Sequence, residues 1–132
     1  KQRLKKKSIS NKITLLEADS LHSETLKKIM KIIKKNKRTL IHLDSNHTKN
    51  HVYNELCKYS RLLKKNDIII VGDTIIENIP TQKHRPRPWG KGNNPKNALD
   101  DFLKENKNFK IIKEISNKQL LSNNPYGYIK KI

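Results

Sequence analysis

The chain has 132 residues, with 30 Lys and Arg against 12 Asp and Glu for a formal net charge of +18, and a single cysteine. That length suits one domain with a real core, while the lone Cys57 excludes an internal disulfide and, with nothing resembling a thiol active site, makes a reducing cytoplasmic setting the default. No apolar run reaches membrane-spanning length, and the basic start lacks the apolar segment of a secretory signal.

The cationic excess invites an anionic partner, but no nucleic-acid motif accompanies it, and the abundance of Lys, Ile and Asn reads as compositional bias. Nucleic acid is therefore not the expected partner. The first residue is Lys1 and the only methionine is Met30, so the sequence is expected to begin inside a longer product or after processing.

Residues 1–12 form a basic, weakly patterned lead-in, and residues 13–132 a single α/β domain. Ile13-Thr14-Leu15-Leu16 is a first β-type run, stopping at Glu17-Ala18-Asp19-Ser20. Ser23 then fits the N-cap of a helix through about Lys35. Its apolar stripe is Leu26, Ile29, Met30 and Ile33, and its solvated face Lys27, Lys28, Lys31, Lys34 and Lys35. Thr39 to Leu43 predicts a buried strand, in which His42 reads as a side chain satisfied near the sheet. The helix after Thr48 buries Val52, Leu56, Tyr59 and Leu63, with Cys57 as a small buried apolar residue.

Ile68-Ile69-Ile70-Val71 is the strongest strand signal, with the unbroken apolar run of a central parallel strand covered on both faces. From Thr74 to Asn94 periodicity disappears among Pro80, Pro86, Pro88, Lys83, His84, Arg85, Arg87, Trp89 and Lys91. A connection this long is usually functional or disordered. Asn94-Pro95 reads as N-cap and first position of a helix burying Leu99, Phe102 and Leu103. Phe109 to Ile115 and Tyr126 to Ile132 are two further strands, joined through Ser122-Asn123-Asn124-Pro125 and expected to pair antiparallel.

Two strand exits carry acids: Leu43 runs into Asp44-Ser45-Asn46-His47, and Val71 into Gly72-Asp73. In an open α/β sheet this edge is where ligands and chemistry sit. A carboxylate, a histidine three residues on, and a second carboxylate one βαβ unit later could hold a hard cation beside a general base. The competing reading is that Asp and His there only cap the next helix.

Four ordered blocks carry a resemblance: Leu43-Asp44-Ser45-Asn46-His47, Ile70-Val71-Gly72-Asp73-Thr74, Gly92-Asn93-Asn94-Pro95 leading into Ala98 to Leu103, and Asn124-Pro125-Tyr126-Gly127-Tyr128-Ile129. From about Ile13 to its end the chain resembles the cephalosporin hydroxylase family, which includes rhamnosyl and macrolide sugar O-methyltransferases. The resemblance implies the carboxyl-terminal part of a Rossmann-like, S-adenosylmethionine-dependent methyltransferase, with a mostly parallel sheet and a terminal antiparallel pair. It implies Asp44 and Asp73 as magnesium ligands, His47 as general base, and Asp19 and Ser20 beside the cofactor adenine. The acceptor would be a sugar or glycosylated product under a lid formed by residues 74–94. Arg85, Arg87 and Trp89 would be on the substrate side, Trp89 serving either as a stacking platform or as an anchor of the loop.

Two departures follow. The family usually has Glu immediately before the second Asp, where this chain has Gly72, so one charged magnesium ligand is lost. The four glycines, Gly72, Gly90, Gly92 and Gly127, all lie downstream, so the first strands and the glycine-rich cofactor turn are expected to precede Ile13. The strand at Ile13 to Leu16 would then lack its neighbours and offer an edge for self-association. The alternative function is a catalytically inactive remnant or a module binding an anionic glycan or nucleic acid. Steep salt dependence would mark such a polyanion binder.

Overall fold

The computed structural model describes residues 12–35 and 37–132. Among them, α1 (Ser23–Ile33) precedes β1 (Leu40–Leu43), α2 (Lys49–Tyr59), β2 (Ile68–Val71), α3 (Pro95–Glu105), β3 (Phe109–Ile111), α4 (Lys113–Lys118) and β4 (Tyr128–Lys131). Tight 3-10 turns occupy Ser60–Leu62 and Thr74–Asn78.

The strands form one sheet in the order β1-β2-β4-β3. β1 and β2 are adjacent and parallel, Leu40 opposite Ile68 and Leu43 opposite Val71. β4 runs antiparallel to β2 and β3 on either side, with Ile129 opposite both Ile69 and Ile111. The sheet is therefore mixed rather than mostly parallel, since only one of the described pairings is parallel. The β3–β4 pair is antiparallel as expected.

Alternation decides where the core lies. Ile69, Val71 and Ile129 are fully buried on one face of the sheet, beneath Val52, Leu56 and Tyr59 of α2 and Ala98, Leu99 and Phe102 of α3. Ile68 and Ile70 are only half-buried, and Leu40 and His42 on β1 are exposed. The expectation of strands covered on both faces fails for this reason: α2 and α3 both serve the same face. They are fastened by Lys49–Asp101 and by Tyr53, whose hydroxyl donates to Glu105 Oε2 at 2.5 Å.

Three expectations about local structure are corrected. Ile13 to Leu16 forms no strand: it is irregular, and Ile13, Leu15 and Leu16 are exposed. A four-residue apolar run gains nothing from extension without a neighbour to pair with. β3 stops at Ile111, and the stretch to Ile115 instead enters α4, because Lys113 to Lys118 offers one apolar residue, Ile115, for a sheet to bury. The N-cap position of α1 falls on His22 rather than Ser23, since Asp19 has already closed a turn by accepting from Leu21 N and His22 N.

α1 otherwise fits its pattern, with Ile33 buried, Leu26 and Ile29 packed on the core and its lysines in solvent. The turn before it is held from α2, where Tyr59 Oη donates to Ser20 O at 2.9 Å and Lys58 Nζ to Leu21 O at 2.7 Å. Asn94 caps α3 as read, its side-chain oxygen accepting from Lys96 N and Asn97 N ahead of Pro95. Cys57 is half-buried against the core.

The β2–β4 junction leaves no space for a side chain at Gly127, where a Cβ would stand 2.4 Å from Val71 O. Gly127→Ala should cost about 1–3 kcal/mol, the range for overpacking, read as a lower urea midpoint at unchanged slope. A Cβ at Gly90 meets nothing within 4 Å, so Gly90→Ala should stay within about 0.5 kcal/mol of the parent.

Candidate active site

The parallel register brings the exits of β1 and β2 level, and Gly72 N donates to Leu43 O at 2.8 Å to carry the pairing one residue past the strands. Asp44 and Asp73 consequently emerge side by side. His47, three residues after Asp44, turns back between them, its Nε2 3.3 Å from Asp44 Oδ1 and 3.1 Å from Asp73 Oδ2. One donor atom from each of the three lies within 4.8 Å of the others.

Helix capping does not account for these residues. Asn46 Oδ1 accepts from Thr48 N at 2.9 Å, and Asn93 Oδ1, from the loop before α3, accepts from Lys49 N at 2.9 Å. Two of the free donors at the start of α2, Thr48 N and Lys49 N, are thus served by asparagines, and neither Asp44 nor His47 takes part in these bonds. Asp73 adopts a left-handed backbone, φ 51°, which aspartate tolerates better than most residues. Its N–H donates to Asn124 Oδ1 at 2.8 Å, so the β4 approach loop holds the strained residue in place.

Glu24, Asp100 and Asp101 each pair with lysine. In a chain this rich in cations, Asp44 and Asp73 have no lysine or arginine partner among the described residues and face only His47. Both ring nitrogens of His47 are buried, yet neither makes an aligned hydrogen bond. Such a donor set, two carboxylates and an unsatisfied imidazole, fits a divalent cation. Gly72 could not simply be exchanged for the glutamate expected there: a Cβ would meet Leu43 O at 2.9 Å and Asp44 Oδ1 at 3.0 Å.

Arg85, Arg87 and Trp89 come together along one cavity of about 250 Å³. Trp89 links this cavity to the trio, its ring centroid 5.1 Å from that of His47 and 5.3 Å from the Arg87 guanidinium carbon. Asp19 and Ser20 do not join the trio, but their turn reaches the residue after Asp44 through His51, whose Nε2 is 3.0 Å from Ser45 Oγ. Asp19 Oδ1 is engaged by Leu21 N, and Ser20 Oγ sits 3.4 Å from His51 Nε2.

The sequence reading missed the polar layer beneath this edge. Ser45 Oγ donates to Glu55 Oε1 at 2.9 Å and lies 3.0 Å from His51 Nε2, and Glu55 is almost fully buried with Oε2 unpartnered. The i,i+4 spacing of His51 and Glu55 on α2 was available as a signal, but nothing local showed that Ser45 would meet them. Glu77 was missed too. Its carboxylate accepts from Gly92 N at 2.9 Å and Asn94 Nδ2 at 2.5 Å, tying the start of the long loop to its end. Those bonds, Gly92 first, hold its carboxyl below the usual range.

The sequence model of the family described as rhamnosyl O-methyltransferase/CmcI matches residues 1–132. No curated protein and no solved structure matches the chain significantly.

A carboxyl whose folded pKa is lowered stabilises the fold above its ordinary value, 4.5 for Glu77, and that contribution declines as the pH falls towards the lowered value. Trp89 is the only tryptophan, so its emission reports this loop. Acidification below 4.5 should shift Trp89 emission before the far-ultraviolet helix signal is lost. Glu77→Gln should show part of that shift already at neutral pH, and unchanged emission in this variant would mean that the carboxylate does not pin the loop.

Proposed function

We propose that this chain, which belongs to the rhamnosyl O-methyltransferase/CmcI family, carries the acceptor side of an S-adenosylmethionine-dependent O-methyltransferase that methylates a hydroxyl of a sugar or glycosylated product. The observation carrying this reading is the convergence of Asp44, His47 and Asp73 at the exits of two parallel strands, with both carboxylates free of lysine and both imidazole nitrogens unsatisfied. The order β1-β2-β4-β3, with a single parallel pair followed by two antiparallel ones, supports assignment to the second half of a methyltransferase sheet.

In this reading Asp44 and Asp73 hold a magnesium ion and Asp19 and Ser20 take the adenine end of the cofactor. When bound, the cofactor supplies an electrophilic methyl on a sulfonium, and the ion lowers the cost of forming alkoxide on the acceptor. His47 removes the acceptor proton, and the two carboxylates against its ring face the imidazolium that results. Residues 74–94 act as the lid that orients the acceptor and excludes water. Asn46 and Asn93, rather than the three active groups, meet Thr48 N and Lys49 N at the start of α2.

His47 is close enough to serve instead as a third metal ligand, and a measurement separates the roles. Manganese should quench Trp89, which lies against His47. Asp44→Asn and Asp73→Asn should each weaken that quenching, whereas His47→Ala should preserve it while lowering kcat by about 10²–10⁴, the usual share of a general base. Loss of manganese binding in His47→Ala would reassign the histidine as a ligand.

No glycine precedes Gly72, so the 132 residues contain no glycine-rich turn to cradle the methionine portion of the cofactor. Calorimetry on this chain alone should detect weak S-adenosylmethionine binding at most. Tight binding at one site per chain would show that the described loops suffice.

A further inference from the structure

The cavity beside Trp89 has a chemistry of its own. Lys83, Arg85, Arg87 and Lys91 line it together with Trp89 and Ile79, and no carboxylate takes part in the lining. Among the described residues none of these four cations is in an ion pair. Glu77, the acid nearest in sequence, is engaged by Gly92 N and Asn94 Nδ2 and, of the four cations, feels only the charge of Lys91.

Lysine here could reflect the composition of the whole chain, but arginine is scarce. Arg3, Arg38, Arg61, Arg85 and Arg87 are the only ones, and two of these five line the cavity. Arginine differs from lysine in offering a planar fork of donors that grips a carboxylate or phosphate through two bonds at once. Arg87 lies over the Trp89 ring, a contact that fixes where its guanidinium sits. Pro86 and Pro88 flank Arg87 and restrict the backbone around it.

We propose that the acceptor is an acidic sugar, its carboxylate or phosphate bound by Arg85 and Arg87 in this cavity while a hydroxyl reaches His47 past Trp89. This rests on the methyltransferase reading above and names the substrate class of that same site. Size favours a sugar over a polymer: about 250 Å³ falls below the ~300–1,000 Å³ of sites for drug-sized ligands, enough for one ring or one head group. Single-stranded nucleic acid would need a groove with successive stacking aromatics, and only one aromatic residue lines the cavity.

The test uses Trp89 emission, with calorimetry as a second measurement, on the full chain with glucuronate, glucose 1-phosphate and glucose as probes. At least one of the two acidic sugars should bind about tenfold or more tightly than glucose, the scale of one charged hydrogen-bonded contact. Preference for glucuronate alone identifies the carboxylate, and preference for glucose 1-phosphate alone the phosphate. Arg85→Ala and Arg87→Ala should each reduce the preference and together abolish it, Arg87→Lys should restore part of it, and Lys118→Ala, outside the cavity, should change nothing. Equal affinity for all three sugars, or a preference that survives loss of both arginines, overturns the site. So does an oligothymidylate that binds more tightly than either acidic sugar with steep salt dependence.

Methyl transfer is read separately, in the protein with its cofactor bound. Transfer to neutral and acidic sugars with equal kcat/KM overturns the inference while leaving the methyltransferase reading intact. Binding of acidic sugars without transfer to any sugar overturns the acceptor role and the methyltransferase reading together.

Discussion

Everything at the candidate site depends on how closely β1 and β2 approach at their exits. Gly72 N reaches Leu43 O at 2.8 Å, and the position has so little room that a Cβ would meet both that oxygen and Asp44 Oδ1. The missing side chain lets the ladder continue past the strands, and that continuation sets Asp44 and Asp73 level. A glutamate there would add a charged ligand, but its Cβ would crowd Leu43 O and the Asp44 carboxylate, so one of them would have to shift.

Asparagine then divides the labour. Asn46 and Asn93 meet the donors at the start of α2, Asn94 caps α3, and Asn124 holds the backbone of Asp73 in its left-handed conformation. Each is a neutral group doing what an aspartate could have done. Because an uncharged amide supplies these bonds, Asp44 and Asp73 are not drawn into them, and neither pairs with a lysine as Asp100 and Asp101 do. Asn93 adds a link between parts, since it joins the long loop to the first turn of α2 just after His47.

Much of this was legible from sequence where the cause was local. Ile68 to Val71 is apolar enough to fix a strand, Asn94-Pro95 has the chemistry of a helix start, and the spacing of Val52, Leu56 and Tyr59 fixes the inward face of α2. The parallel pairing of β1 and β2, and with it the meeting of Asp44 and Asp73, followed from one helix connecting two such runs. What depended on distant partners was misread or missed. Ile13 to Leu16 has the composition of a strand but no neighbour, Leu40 and His42 look buried in sequence yet face an uncovered side of the sheet, and Lys113 to Lys118 turns helical where alternation runs out. The contact of Ser45 with Glu55 joins a strand exit to a helix, and no periodicity reports it.

The resulting surface is segregated by charge in a way that its net value of +18 hides. Beside Trp89 stand His47 with the two carboxylates that face it, and also Arg85, Arg87 and two lysines around a cavity. Left in contact, such groups would pair and cancel. The indole ring touches both groups, its centroid 5.1 Å from that of the imidazole and 5.3 Å from the Arg87 guanidinium carbon. Glu77 contributes from behind by holding Gly92 and Asn94, which fixes the loop carrying Trp89. The chain's single tryptophan is thus a contact shared by the acidic trio and the basic cavity.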